Sequence, residues 1–137
     1  MQYKFHAYGN PNILGTHKTT LEFTKDSKLT LKGDCIVGVN ADFGLNEIKK
    51  FINNSKSNKI TITIETEDKK IKEMIEAETN PDFNDKTEFV IRKTDFVSER
   101  TFAIRANKAA CDLRKDLAEY LHKNNSKIVI SIKSIDV

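Results

Sequence analysis

Short segments of strictly alternating apolar and polar residues recur through this chain, and clusters of turn-forming residues separate them. Gln2 to Tyr8 places Tyr3, Phe5 and Ala7 on one side and Lys4, His6 and Tyr8 on the other. Lys18 to Lys25 does the same with Thr19, Leu21 and Phe23 against Lys18, Thr20, Glu22 and Thr24. Lys59 to Glu65 sets Ile60, Ile62 and Ile64 between threonines, and residues 127–133 set Ile128, Ile130 and Ile132 between polar residues. A period of two is the pattern of a half-buried strand, and threonine and isoleucine suit a pleated surface. A chain written this way folds mainly as β-sheet.

Between these segments the order is legible. Gly9-Asn10-Pro11-Asn12 ends the first strand with turn chemistry at every position. Lys25-Asp26-Ser27-Lys28 reads as a hairpin loop with a return from Leu29 to Leu31, and Gly33-Asp34 as a second turn. Cys35 to Val39 is an apolar run that suits a strand covered on both faces. Leu45, Ile48, Phe51 and Ile52 fall on one face of a helix, with Asp42 as its cap. Lys70 to Thr79 fits either a helix or an irregular strand, and its neighbourhood favours strand. Thr87 to Lys93 and Arg100 to Ala106 read as strands. Lys108 to Lys123 reads as a helix capped by Asn107, with Ala109, Ala110, Leu113, Leu117 and Leu121 as its apolar stripe. About seven or eight strands and two helices, without βαβ alternation, predict an antiparallel β-sandwich, jelly-roll-like, with two covering helices, as one domain over residues 1–137.

Composition narrows the function. The chain is 38% hydrophobic and 31% charged, which fits an ordinary globular protein. No apolar run approaches the roughly 20 residues of a membrane helix, and the first residues show no signal core, so a cytoplasmic protein without membrane partners is expected. Cys35 and Cys111 form no close pair and are expected to be reduced, buried and slow to react. The net charge of +3 is uneven: residues 1–60 carry +4, residues 61–99 carry −5 and residues 100–137 carry +4. A basic patch is compatible with this distribution, whereas a nucleic-acid tail is absent.

The block from Gly9 to Asp42 holds four of the five glycines and the least ordinary sequence in the chain. Asn12-Ile13, Thr16-His17-Lys18-Thr19-Thr20-Leu21-Glu22 and Gly33-Asp34-Cys35-Ile36-Val37-Gly38-Val39 stand out. So do Arg100-Thr101 and the run Ala106 to Leu113. Together they resemble the archaeal domain of unknown function 371 family, over nearly the whole chain. The resemblance implies a cytoplasmic archaeal protein and a β-sandwich related to the jelly rolls. It carries over no catalytic residue, because the family has no established activity. The family often shows Gly-His before this Asn-Ile, whereas Gly9-Asn10-Pro11 stands here, so a mechanism needing a histidine at position 10 does not fit.

Three chemistries are open to the residues. His17 with Asp34 or Cys35 is a nucleophile-and-base arrangement, as a small hydrolase or transferase would use. Its plain alternative is a buried structural cysteine and an Asx turn at Asp34. His6, His17 and Cys35 are zinc-ligand types, but they lack a fourth ligand and any close pair, so no metal and no cofactor is expected. No phosphate-binding glycine loop is present. The arginines say more. The chain has nineteen lysines and four arginines, all four between Arg92 and Arg114. Where lysine serves for plain charge, arginine marks places that need its planar fork, suited to carboxylate or phosphate. The plain alternative is ion pairs to Glu76, Glu78 or Glu88.

The leading expectation is therefore a binding module for an anionic ligand: a phosphorylated or carboxylated small molecule, or a nucleic-acid backbone. Asn10, Asn12, Thr16 and His17 on the first loop, and Arg92, Arg100 and Arg105 on later strands, are its candidate binding residues. A scaffold that works by pairing with another protein is the third reading. Ligand identity and oligomeric state are not written in the sequence.

Overall fold

The computed structural model describes residues 1–135. Its strands are β1 (Gln2–Tyr8), β2 (Thr20–Thr24), β3 (Ile36–Gly38), β4 (Lys59–Thr66), β5 (Lys72–Thr79), β6 (Glu88–Arg92), β7 (Thr101–Ile104) and β8 (Lys127–Ser134). They make one sheet in the order β1-β8-β4-β5-β7-β6-β2-β3. Helix α1 (Leu45–Asn54) lies between β3 and β4, and a 3-10 turn (Ala110–Asp112) followed by helix α2 (Lys115–Leu121) lies between β7 and β8.

The alternating segments form strands because one side of each is buried. Ile60, Ile62 and Ile64 of β4 and Ile128, Ile130 and Ile132 of β8 are all at 0% exposure. They face each other in register, with Ile62 opposite Ile132 and Ile64 opposite Ile130. Within segment 70–79, Lys72–Thr79 forms strand β5, paired antiparallel with β4. Farther along the sheet the core turns aromatic. Phe89 stacks on Phe102 with centroids 4.3 Å apart, and Phe5, Phe23, Phe43 and Phe83 close around it.

The two terminal strands of the sheet meet. Tyr8 and Val39 exchange both main-chain hydrogen bonds at 2.8 Å, and Asp42 N donates to His6 O at 3.0 Å. The sheet thus returns to its own starting edge there, and main-chain groups that would template foreign strands are occupied.

The structure corrects several expectations. The sheet is mixed rather than antiparallel: β2 with β3 and β6 with β7 run parallel. The single helix over 108–123 is broken at Leu113-Arg114, whose backbone is extended. The cause is Glu73, a buried carboxylate on β5 that binds the Lys108 ammonium and accepts the Arg114 N–H at 2.7 Å. That tertiary anchor overrides the helical period, although every residue of the apolar stripe is buried. Asn107 caps no helix; it extends the β5 edge by bonding both main-chain groups of Glu76. Asp42 likewise leaves the cap of α1 to Gly44 and binds the His6 main chain and ring instead. Leu29 to Leu31 is a turn region, not a returning strand. Cys111 is exposed rather than buried.

Strand β2 departs furthest from its sequence pattern. All five of its residues are buried, including Thr20, Glu22 and Thr24, which alternation would expose. The 3-10 turn packs against it, and Cys35 sits beside Glu22. This second buried side of β2 positions the candidate site.

Candidate anion-binding site

On one side of the sheet, Thr20, Glu22 and Thr24 of β2 stand opposite Arg92, Val90 and Glu88 of β6, and Val90 stands opposite Thr101 of β7. Regular pairing breaks twice here. Strand β2 slips against β3 between Glu22 and Phe23, and β6 slips against β7 between Val90 and Ile91. Such irregularities redirect side chains and gather near functional sites.

Glu22 lies at the centre, 5% exposed. Its Oε1 accepts a weak hydrogen bond from the Cys35 thiol at 3.9 Å. Burial, reinforced by Glu88, pushes its carboxyl up to about 7, against the opposing pull of Arg100 and Arg92. Burial, then the neighbouring Glu22, pushes the Cys35 thiol up to about 11. Cys35 is therefore a protonated donor at neutral pH, the opposite of an activated nucleophile.

The arginines divide three to one. Arg100 pairs with Glu88 at 2.5 Å, Arg105 with Glu78 at 3.0 Å and Arg114 with Asp116 at 2.9 Å. Two of the three arginines predicted to bind ligand thus hold the acids that the plain reading named, on a half-exposed surface. Arg92 differs. Its Nε donates to Thr101 Oγ1 at 3.0 Å and its guanidinium lies 4.9 Å from the Phe96 ring centre, yet it pairs with no carboxylate among the described residues. Burial, then the nearby Arg100, disfavours its positive charge.

The first loop reaches the same neighbourhood. Thr16 N and His17 N both donate to Asp34 O, at 3.1 and 3.3 Å, so the loops at 9–18 and 33–34 are joined. His17 Nδ1 accepts from Thr20 N at 3.1 Å and Thr19 N at 3.2 Å, and Thr20 is the cross-strand partner of Arg92. A ring nitrogen that accepts two N–H groups carries no proton, so Nε2 bears the hydrogen of the neutral ring. The Asp34 carboxylate makes no hydrogen bond to this ring, and the Cys35 thiol is committed to Glu22. Asn10 and Asn12 serve the loop itself: Asn10 Oδ1 accepts from Asn12 N at 2.9 Å, and Asn12 Nδ2 donates to Leu29 O at 2.7 Å. Gly9 does not open space for a ligand. A Cβ there would fall 2.1 Å from Ser126 Oγ and 2.5 Å from Leu121 O.

The structure thus joins Thr16 and His17 to Asp34, and His17 to Thr20, the cross-strand partner of Arg92, and sets Arg105 apart on Glu78. Sequence reading missed Glu22 and Phe96, and named Glu88 only as an ion-pair partner. Alternation assigned Glu22 to solvent, and Phe96 sat in what read as a plain connection. No group of three or more His, Cys, Asp or Glu able to hold a metal occurs among the described residues, and His6 is taken by Asp42. No helix among the described residues is long and apolar enough to cross a membrane.

Concavity points elsewhere. A cleft of about 670 Å³ crosses the outer faces of β1, β8, β4 and β5, lined by Lys4, Lys72, Lys133, Thr61, Thr63 and Ser131 among others. These are the exposed and half-buried residues of an ordinary solvated sheet face. The chemistry is concentrated at Glu22 and Arg92, where polar groups are buried and fixed, so the candidate site is placed there.

A mainly β chain with one mixed eight-stranded sheet and two helices defines the class. Residues 5–135 match the family described as domain of unknown function (DUF371), and the chain belongs to that family. It is also 35% identical over 134 residues to an uncharacterized protein of Methanocaldococcus jannaschii, covering 96% of this chain and 98% of that one.

Proposed function

We propose that this protein is a binding module for a small anionic ligand, held at Arg92 on the side of the sheet shared by β2, β6 and β7. The observation that carries the reading is the guanidinium of Arg92: half-buried, oriented by Thr101 and without a carboxylate partner among the described residues. A planar fork in that state binds phosphate or carboxylate in two-point contact, which a lysine cannot match. Its burial makes an anion more valuable than at a fully solvated site. His17 and Thr16 on the adjoining loop supply further polar contacts, and Arg100 adds positive potential while holding Glu88. The raised thiol of Cys35, and an Asp34 carboxylate with no hydrogen bond to the His17 ring, weigh against the hydrolase reading.

The test is a thermal-shift panel of inorganic phosphate, phosphosugars, dicarboxylates and nucleotides on the wild type and on Arg92→Lys. At least one anion raises the wild-type transition, and Arg92→Lys cuts the affinity about tenfold, roughly 1.4 kcal/mol. Equal binding by both proteins moves the site to the lysine-lined cleft, with Lys4 and Lys133 as the residues to replace. No shift by any anion ends the reading.

A further inference from the structure

Eight phenylalanines are present, and seven of them are at most 2% exposed. Phe96 is the exception, at 59%. Four arginines are present, and Arg92 alone lacks an acid among the described residues. These two exceptions are stacked on each other, with the guanidinium carbon 4.9 Å from the ring centre. An exposed phenylalanine gains little from folding, because its apolar area stays in water. Here the ring is nevertheless held in place. Its loop is tied down by Arg105 N to Thr94 O at 2.9 Å, by Asn80 Nδ2 to Ser98 O at 3.4 Å and by Ser98 N to the buried Thr101 hydroxyl at 3.1 Å. Thr101 thus orients Arg92 and anchors the loop that carries Phe96.

We propose that the site takes a ligand in which one anionic group stands beside a flat aromatic ring, the nucleoside monophosphates being the simplest such molecules. The ring stacks on the open face of Phe96, and the phosphate takes the free edge of Arg92. This rests on the anion-binding reading of Arg92 and adds the part of the ligand that Phe96 recognises. Aromatic side chains are sequence-tolerant platforms for bases, since every base has a π-face. Val97, 50% exposed, extends the apolar surface beside the ring. Asp95 and Glu99 are exposed on the same loop and flank the platform with negative charge. They repel a second or third phosphate, which favours a single nucleotide over a polynucleotide strand.

The test is titration calorimetry of inorganic phosphate, adenosine monophosphate, adenosine and a four-nucleotide single strand. The proteins are the wild type, Phe96→Ala, Phe96→Tyr and Arg92→Lys. Adenosine monophosphate binds the wild type at least tenfold more tightly than phosphate does. Phe96→Ala removes that advantage, so that the monophosphate binds this variant no more tightly than phosphate does. Phe96→Tyr restores it, and Arg92→Lys weakens both ligands. Equal affinity for phosphate and the monophosphate, with Phe96→Ala silent, overturns the ring proposal while leaving the anion reading intact. Absence of binding by every anion overturns both. Tighter binding of the four-nucleotide strand overturns the single-nucleotide assignment. Self-association that Phe96→Ala abolishes, without ligand binding, makes Phe96 a contact between copies of the chain and overturns the proposal.

Discussion

The Cys35 thiol donates to Oε1 of Glu22, and burial, then the neighbouring Glu22, keeps that thiol protonated. Glu22 carries a folded-state value of about 7, above the ordinary carboxylate range, because burial penalises its charge. The folded protein therefore holds this proton over a pH range in which the unfolded chain has released it. Stability from this group is greatest in acid, falls as pH rises past the unfolded value toward 7 and stays low above that. Glu22→Gln removes the dependence. Chemical denaturation at pH 8 should find the variant more stable than wild type, by on the order of 3 kcal/mol at most. Near pH 4.5 the two should converge. A wild-type advantage at pH 8 would mean that the ionised carboxylate is the stabilising form.

The two cysteines should separate in a labelling experiment. Cys35 is half-buried and its thiol is pushed up to about 11, whereas Cys111 is exposed. Native protein at pH 8 should release one thiol promptly to a disulfide reagent and the second only on unfolding. Cys111→Ser should abolish the prompt phase and leave the slow one.

Gly9 is fixed by packing, not by ligand. Gly9→Ala would drive a methyl group into Ser126 Oγ and the main-chain oxygens of Leu121 and Lys123. Such overpacking costs about 1–3 kcal/mol, and more where backbone must move. A lower urea midpoint with an unchanged slope is the expected result. Gly15→Ala is a useful contrast, since space there is open and only its positive φ of 61° opposes the substitution.

Phe89 joins the two halves of the aromatic core by touching Phe5, Phe23, Phe43, Phe83 and Phe102. Phe89→Ala should cost about 3–5 kcal/mol, the range of large cavities in well-packed interiors. Phe96→Ala, at the surface, should leave the unfolding transition nearly unchanged. Comparable losses from both would mean that Phe96 has a packing role.

The isoleucines of β4 and β8 were legible in the sequence because each strand buries one face, and a period of two records that directly. The parallel pairings of β2 with β3 and β6 with β7 were not. Strand direction is set by which distant segments meet, and no local pattern encodes it. The break at Leu113 was hidden for the same reason, since Glu73, which makes it, lies forty residues or so earlier. At the site, the scarcity of arginine marked Arg92, and turn chemistry marked the loop of Thr16 and His17. Glu22 escaped because alternation predicts a solvated glutamate wherever a strand has one open face, and β2 has none.

The anion reading is tested most directly by the Nε–H signals of the four arginines in a proton–nitrogen NMR spectrum during titration with inorganic phosphate. The Arg92 signal, anchored on Thr101, should move first and saturate, with Arg100 following weakly and Arg105 and Arg114 still. An Arg92 signal that stays in place while phosphate saturates the protein, or that moves only in step with the other three, would contradict a site at Arg92.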